Sequence, residues 1–195
     1  MNKYIFILVL LITATACCPY DPPVLIDYGK IPDSILIMVP YQNGQIYKFR
    51  HSGGLAIEFT AMRQSNEKRY GCENEWRCKI KYKYEENTTT LTPDYPVFSF
   101  GLDLENMHPE AFGFIVRIGY YWFQVPTNDY QSDYCGFADS VLIGDKFYYD
   151  VFKIKSMYGT AYDRDTIFAD SMYYSYKKGI LQVKMSNGEK YSIDE

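Results

Sequence analysis

The vocabulary of catalysis and metal binding is sparse in this chain. Its 195 residues hold two histidines, His51 and His108. No H-E-x-x-H, G-x-S-x-G, Walker loop or dinucleotide fingerprint is present, which leaves zinc, serine-hydrolase and nucleotide chemistry without a sequence signature. Cys135 with either histidine makes a nucleophile and base only in principle, because no local context joins them. A basic surplus is missing too. Twenty Lys and Arg against 24 Asp and Glu give a net charge of −4, without the concentrated cationic face that nucleic acid requires. Acidic pairs occur, Asp103 with Glu105 and Asp163 with Asp165, but a calcium loop needs six or more oxygens on a shaped turn. Amphipathic helices longer than about two turns are absent, and no apolar run approaches the roughly 20 residues of a spanning helix. The expectation is a non-enzymatic chain with no cofactor and no metal site.

What is abundant is aromatic. The chain is 47% hydrophobic and 18% aromatic, with 21 tyrosines, too apolar for disorder and suited to a pleated surface. The dominant period is two. In "RCKIKYKYE", Cys78, Ile80, Tyr82 and Tyr84 alternate with Arg77, Lys79, Lys81 and Lys83, which reads as a strand with one buried and one wet face. "LAIEFTAM" alternates in the same way. "SILIMV", "QIYKFRH", "VFSFGLDL", "DSVLI", "KFYYDVFKIK", "DSMYYSY", "ILQVKM" and "KYSI" are candidate strands, and the long run "AFGFIVRIGYYWFQV" reads as a central one. Asn43-Gly44, Ser52-Gly53-Gly54, Gly144-Asp145 and Asn187-Gly188 stand between runs as hairpin turns. Short turns make antiparallel neighbours. The sequence therefore predicts an all-β, single antiparallel domain over residues 33–195, either a β-sandwich or an open half-barrel. An outer-membrane barrel fits less well, because charged and apolar faces do not divide into lipid and lumen sides.

The N-terminus reads as an address. Lys3, the apolar run Ile5–Ile12 and the small residues Ala14–Ala16 make residues 1–16 a signal peptide. "ATAC" resembles the bacterial lipobox, with Cys17 at the lipidated position and Ala14 where the family usually has leucine. Two or more acyl chains on Cys17 would anchor the protein stably. Residues 17–32, with four prolines in "CPYDPPVLIDYGKIP", read as a tether. Its Val24, Leu25 and Ile26 could alternatively add an edge strand. Export places the cysteines in an oxidising compartment. Cys72 and Cys78 are close enough to staple a hairpin end, which leaves Cys18 and Cys135 as the other pairing.

The ending "YYSYKKGILQVKMSNGEKYSI" resembles a recurrent ending of Bacteroidota outer-membrane lipoproteins of unknown function. "DKFYYDVFKIK" and "PYQNGQIYKFRHSGGLAIEFT" are similar to their preceding strand and first hairpins. The resemblance implies a Gram-negative envelope lipoprotein and supplies no activity. It also draws attention to Asp-hydroxyl-apolar triplets, similar to the O-glycosylation motif of such proteins, at Ser34, Ser140, Thr166 and Ser171. The single Asp21 after Cys17 favours the periplasmic face of the outer membrane over the cell surface. Three roles follow. The first is non-catalytic binding or scaffolding of a glycan, peptide or envelope protein, with Tyr120, Tyr121 and Trp122 as a candidate aromatic surface. The second is a lipid or lipoprotein carrier with a half-barrel cavity, and the third and least supported is a hydrolase.

Overall fold

The computed structural model describes residues 24–71, 80–108, 111–127, 134–157 and 167–195. Within them lie β1 (Val24–Asp27), a one-turn helix α1 (Asp33–Leu36), β2 (Ile46–His51), β3 (Ala56–Tyr70), β4 (Ile80–Pro93), β5 (Phe100–His108) and β6 (Ala111–Ile118). There follow β7 (Tyr121–Gln124), β8 (Cys135–Ile143), β9 (Lys146–Lys155), β10 (Ala169–Ser175), β11 (Gly179–Met185) and β12 (Lys190–Ile193). These strands form one sheet in the order β7-β6-β5-β4-β3-β2-β12-β11-β10-β9-β8, with β1 beside β4. The protein is all-β. β1 runs parallel to β4, and the other pairs with a defined register are antiparallel.

The described residues divide into two compact units. The smaller holds 24–27, 69–71 and 80–83; the larger runs over Tyr28–Lys68 and Tyr84–Glu195. In the larger unit a single sheet curls until its first strand meets the stretch after β9. Met157 N–H donates to the Trp122 carbonyl at 2.8 Å in an antiparallel bridge. One sheet bent toward closure is the half-barrel alternative; a sandwich would need two.

The inner face of that sheet carries Phe49, Ile57, Phe59, Leu91, Phe100, Leu102, Leu104, Phe114, Val116, Phe123 and Ile154, all buried. Phe49, Phe59 and Phe100 pack ring against ring with centroids 5.0–5.3 Å apart. Each such ring withdrawn from water contributes about 1.5–3 kcal/mol. The chain itself supplies what sits against this face. Ile31, Val39 and Tyr41, from the stretch around α1, are 0–3% exposed within the same core. "SILIMV" is therefore not a strand. Pro32 precedes a turn in which Ile35 and Leu36 N–H donate to the Pro32 carbonyl at 2.9 and 3.0 Å. Packed against a concave sheet, an apolar run has no wet face to impose alternation.

Two further expectations change. "AFGFIVRIGYYWFQV" is a hairpin, β6 and β7, turned at Gly119 with φ 58°, and β7 ends the sheet order. An apolar run does not reveal such a turn unless its glycine is read as left-handed. In "KIKYKYE", Ile80 is exposed and Lys81 to Glu85 are half-buried. The first of these residues pair with β1, whose own Val24 and Ile26 are exposed, so among the described residues no core lies behind the start of the alternation. Clean burial on β4 begins at Asn87, Thr89 and Leu91. Val24–Asp27, read as tether or edge strand, is a strand.

Candidate functional site

A polar clasp on the inner face of the larger unit holds the α1 stretch in place. Arg63 on β3 is half-buried. Its guanidinium donates to the carbonyls of Leu36 at 3.0 Å and Val39 at 2.9 Å, and to Asn87 Oδ1 at 2.9 Å. Asn87 in turn donates to Ser65 at 2.7 Å. Glu85 accepts the Ile31 N–H at 2.7 Å, Asn106 donates to the Tyr28 carbonyl at 2.8 Å, and Tyr174 Oη donates to the Met38 carbonyl at 2.6 Å. Tyr41 Oη accepts the Ile180 N–H at 2.7 Å. The helical turn buries backbone carbonyls, and these side chains satisfy them. Burial raises the Tyr41 and Tyr174 hydroxyls far above their ordinary pKa, so both stay neutral donors or acceptors. The concave face, where it is described, is thus occupied by the protein's own chain.

The opposite face of β3–β6 carries a row of carboxyls that sequence reading did not assemble. Register sets Glu86 directly opposite Glu105 and Thr88 opposite Asp103. Asp103 is buried and pairs with the Arg117 guanidinium, while Glu86 pairs with Lys68 at 3.1 Å. Burial pushes the Asp103 carboxyl up, partly offset by Arg117. Glu105 is pushed up by burial and then by the adjacent Glu86 and Asp103 charges. Trp122, half-buried, stands directly opposite Arg117. The row is a braced polar surface bordered by Trp122. Among the described residues no three His, Cys, Asp or Glu side chains are placed to hold a metal ion.

A third surface is apolar. β8 and β9 form a hairpin turned at Gly144, with φ 64°. One face is closed by Ile143, Tyr148 and Val151, which pack with Leu181. Tyr148 and Val151 are three residues apart and share that core because Asp150 between them adopts φ 54°, a left-handed conformation that breaks the alternation. On the other face Leu142 lies directly opposite Phe147, and Ser140 opposite Tyr149. Leu142, Phe147 and Tyr149 are 55%, 62% and 65% exposed. Farther along the hairpin Phe137, also exposed, sits opposite Phe152 with ring centroids 5.4 Å apart. β8 ends the sheet and, among the described residues, pairs on one side only.

The residues singled out from sequence scatter over the fold. Cys17, Cys72, Cys78 and Thr166 lie outside the described residues. Ser34 is exposed on α1, Ser140 is exposed on β8, and Ser171 is half-buried on β10. Tyr120 is exposed in the β6–β7 turn. Tyr121 points inward, 7% exposed, and stacks on Phe168 at 5.0 Å. The three aromatics do not share one face. Cys135 is half-buried and, among the described residues, bonded to no other cysteine; burial raises its thiol pKa, the opposite of an activated nucleophile. His51 is occupied elsewhere: its Nδ1 accepts the Gly53 N–H, and its ring packs on Tyr191 at 4.9 Å. No family model, no curated protein and no solved structure matches the chain.

Proposed function

We propose that this chain is a lipid-anchored bacterial envelope protein, held through Cys17 on the periplasmic side of the outer membrane. Its larger unit binds a partner protein or peptide without catalysis. The observation that carries this reading is the β8–β9 hairpin. A strand that ends the sheet among the described residues, beside an exposed row of Leu142, Phe147 and Tyr149, suits strand addition. Backbone pairing supplies affinity, and the apolar row supplies the side-chain contacts. An apolar surface left in water on a sheet edge is an aggregation hazard unless something covers it.

Packing of the α1 stretch on the inner face favours this reading over a lipid carrier, which needs that concavity for its cargo. A second reading, glycan contact, is favoured by Trp122 beside the Arg117–Asp103 pair, an aromatic next to charged hydrogen-bonding groups. Capture from detergent-solubilised envelope tests the first reading. The wild-type protein is expected to retain a partner that the Leu142→Lys/Phe147→Lys variant loses, with unchanged thermal unfolding. Identical capture by both proteins would remove the hairpin as the docking edge. Loss of the captured partner on Trp122→Ala, with the hairpin variant unaffected, would move the site to the polar face.

A further inference from the structure

The apolar row on the β8–β9 hairpin is bracketed by acid. At one end Asp145 sits in the turn beside Gly144. At the other Asp139 lies between Ala138 and Ser140, whose partners Val151 and Tyr149 flank Asp150. Strand rise from Asp139 to Ile143, plus the turn, sets the Asp139 and Asp145 carboxylates roughly 13–20 Å apart. Both are exposed, and among the described residues neither is in an ion pair. The neighbouring cations are engaged elsewhere. Lys146 donates to the Glu195 main-chain oxygen, Lys178 pairs with the Glu195 carboxylate at 2.7 Å, and Lys177 pairs with Asp150 at 3.1 Å. Lys153 stands farther along β9, opposite Gly136.

We infer that the segment docking on this edge is an extended basic one, in which two Lys or Arg residues bracket a short alternating apolar stretch. This step rests on the docking edge proposed above and names the chemistry of its partner. Beside Ser140 and Leu142 the incoming strand sets apolar side chains against Leu142, Phe147 and Tyr149. Beside Asp139, and again near Asp145, it sets cations. Opposite charges on neighbouring strands stabilise the pairing and fix its register, and like charges oppose it. An acidic segment would place its carboxylates against both aspartates, and an anionic lipid surface is repelled by the same pair. A second copy of the chain fits no better. β8 holds Asp139 and no Lys or Arg, so pairing β8 with itself gives Asp139 no cation. A charge on an edge strand deters that kind of self-pairing.

The test uses the full chain, purified in mild detergent from its native membrane, and a fluorescein-labelled peptide, Lys-Val-Thr-Val-Thr-Val-Lys, whose symmetric pattern suits either strand direction. Fluorescence anisotropy is expected to show binding that weakens as salt rises. The counterpart Glu-Val-Thr-Val-Thr-Val-Glu should bind about tenfold more weakly, and Asp139→Lys/Asp145→Lys should reverse that preference. The milder Asp139→Asn/Asp145→Asn should weaken the lysine peptide about threefold, with circular dichroism confirming the fold of both variants. No binding of the lysine peptide, equal binding of the two peptides, or a preference that charge reversal leaves unchanged would overturn the inference. Dimerisation in sedimentation that Leu142→Lys abolishes would also overturn it, because the edge then belongs to a second copy. Envelope capture separates this inference from the reading beneath it. A partner lost on Leu142→Lys/Phe147→Lys but retained on Asp139→Lys/Asp145→Lys refutes the basic segment alone. Peptide binding untouched by Leu142→Lys/Phe147→Lys refutes the docking edge itself.

Discussion

Gly179→Ala probes the seating of the α1 stretch on the inner face. Gly179 opens β11 with φ 80°, a conformation that costs a residue with a side chain about 1–2 kcal/mol. A Cβ built there falls closer than 3.0 Å to three atoms of the buried Tyr41 side chain. Tyr41 cannot retreat freely, since it is fully buried and its hydroxyl accepts the Ile180 N–H. Overpacking of this kind adds about 1–3 kcal/mol, and losing that buried hydrogen bond adds about 1–3 more. The expected loss is about 3–8 kcal/mol, a large share of the 5–15 kcal/mol typical of a domain. It corresponds to a fall in Tm of about 6–32 °C for a chain of this size. Gly188→Ala is the internal control: φ is 90°, yet nothing lies within 4 Å of the added methyl, so only the backbone cost of about 1–2 kcal/mol applies. Urea unfolding and thermal circular dichroism measure both variants. If Gly179→Ala is no more destabilising than Gly188→Ala, Tyr41 does not sit against β11, and the reasoning about a filled inner face fails.

Other expectations concern titration and modification. Glu105 is held above its ordinary pKa, so its contribution to stability is full below the usual glutamate range and is lost as pH rises through the raised value. Glu105→Gln should therefore gain about 0.5–1 kcal/mol at pH 7 and little at pH 4 in urea unfolding; equal gains at both would contradict the carboxyl row. Burial pushes Tyr176 up to about 12, and Tyr174 also rises well above its ordinary value. Stability contributed by Tyr176 is present below pH 10 and lost as pH rises through about 12, and that of Tyr174 is lost as pH rises through its own raised value. Ultraviolet titration should show them ionising only with alkaline unfolding, and their normal titration in folded protein would contradict the packing. Intact mass of the protein from its native membrane should exceed the bare polypeptide from residue 17 by the acyl groups. Additional hexose-range mass would map to Ser34, Ser140, Thr166 or Ser171, and a glycan on Ser140 would abolish partner capture because it stands opposite Tyr149 on the hairpin.

Alternation and turn chemistry made the strands legible. Ile57 and Phe59 on β3 follow the period-two pattern because that stretch has a core on one side and water on the other, whereas Asp150 breaks the pattern on β9 and β11 buries Ile180 and Leu181 in succession. Legibility failed where that condition lapses. "SILIMV" folds as a helical turn because it packs against a concave sheet. "KIKYKYE" alternates in sequence although, among the described residues, no core stands behind its start, while the polar "NTT" at Asn87–Thr89 places two residues inside, where Arg63 and Ser65 supply partners for Asn87. The candidate surfaces were less legible still. Glu86 and Glu105 become neighbours only through strand register, as do Leu142 and Phe147 on their exposed face. No local spacing announces a cross-strand pair. Tyr120, Tyr121 and Trp122 are adjacent in sequence, but a strand sends successive side chains to opposite faces.

A photo-crosslinking residue at Phe147 in the lipidated protein, activated in the native envelope, tests the account at its centre. The account predicts a discrete protein adduct at position 147 that disappears when Leu142 is changed to Lys, and no adduct from the same probe at inner-face Phe114. An unlabelled Phe147, or a Phe147 adduct unaffected by Leu142→Lys, would contradict a binding edge at the β8–β9 hairpin.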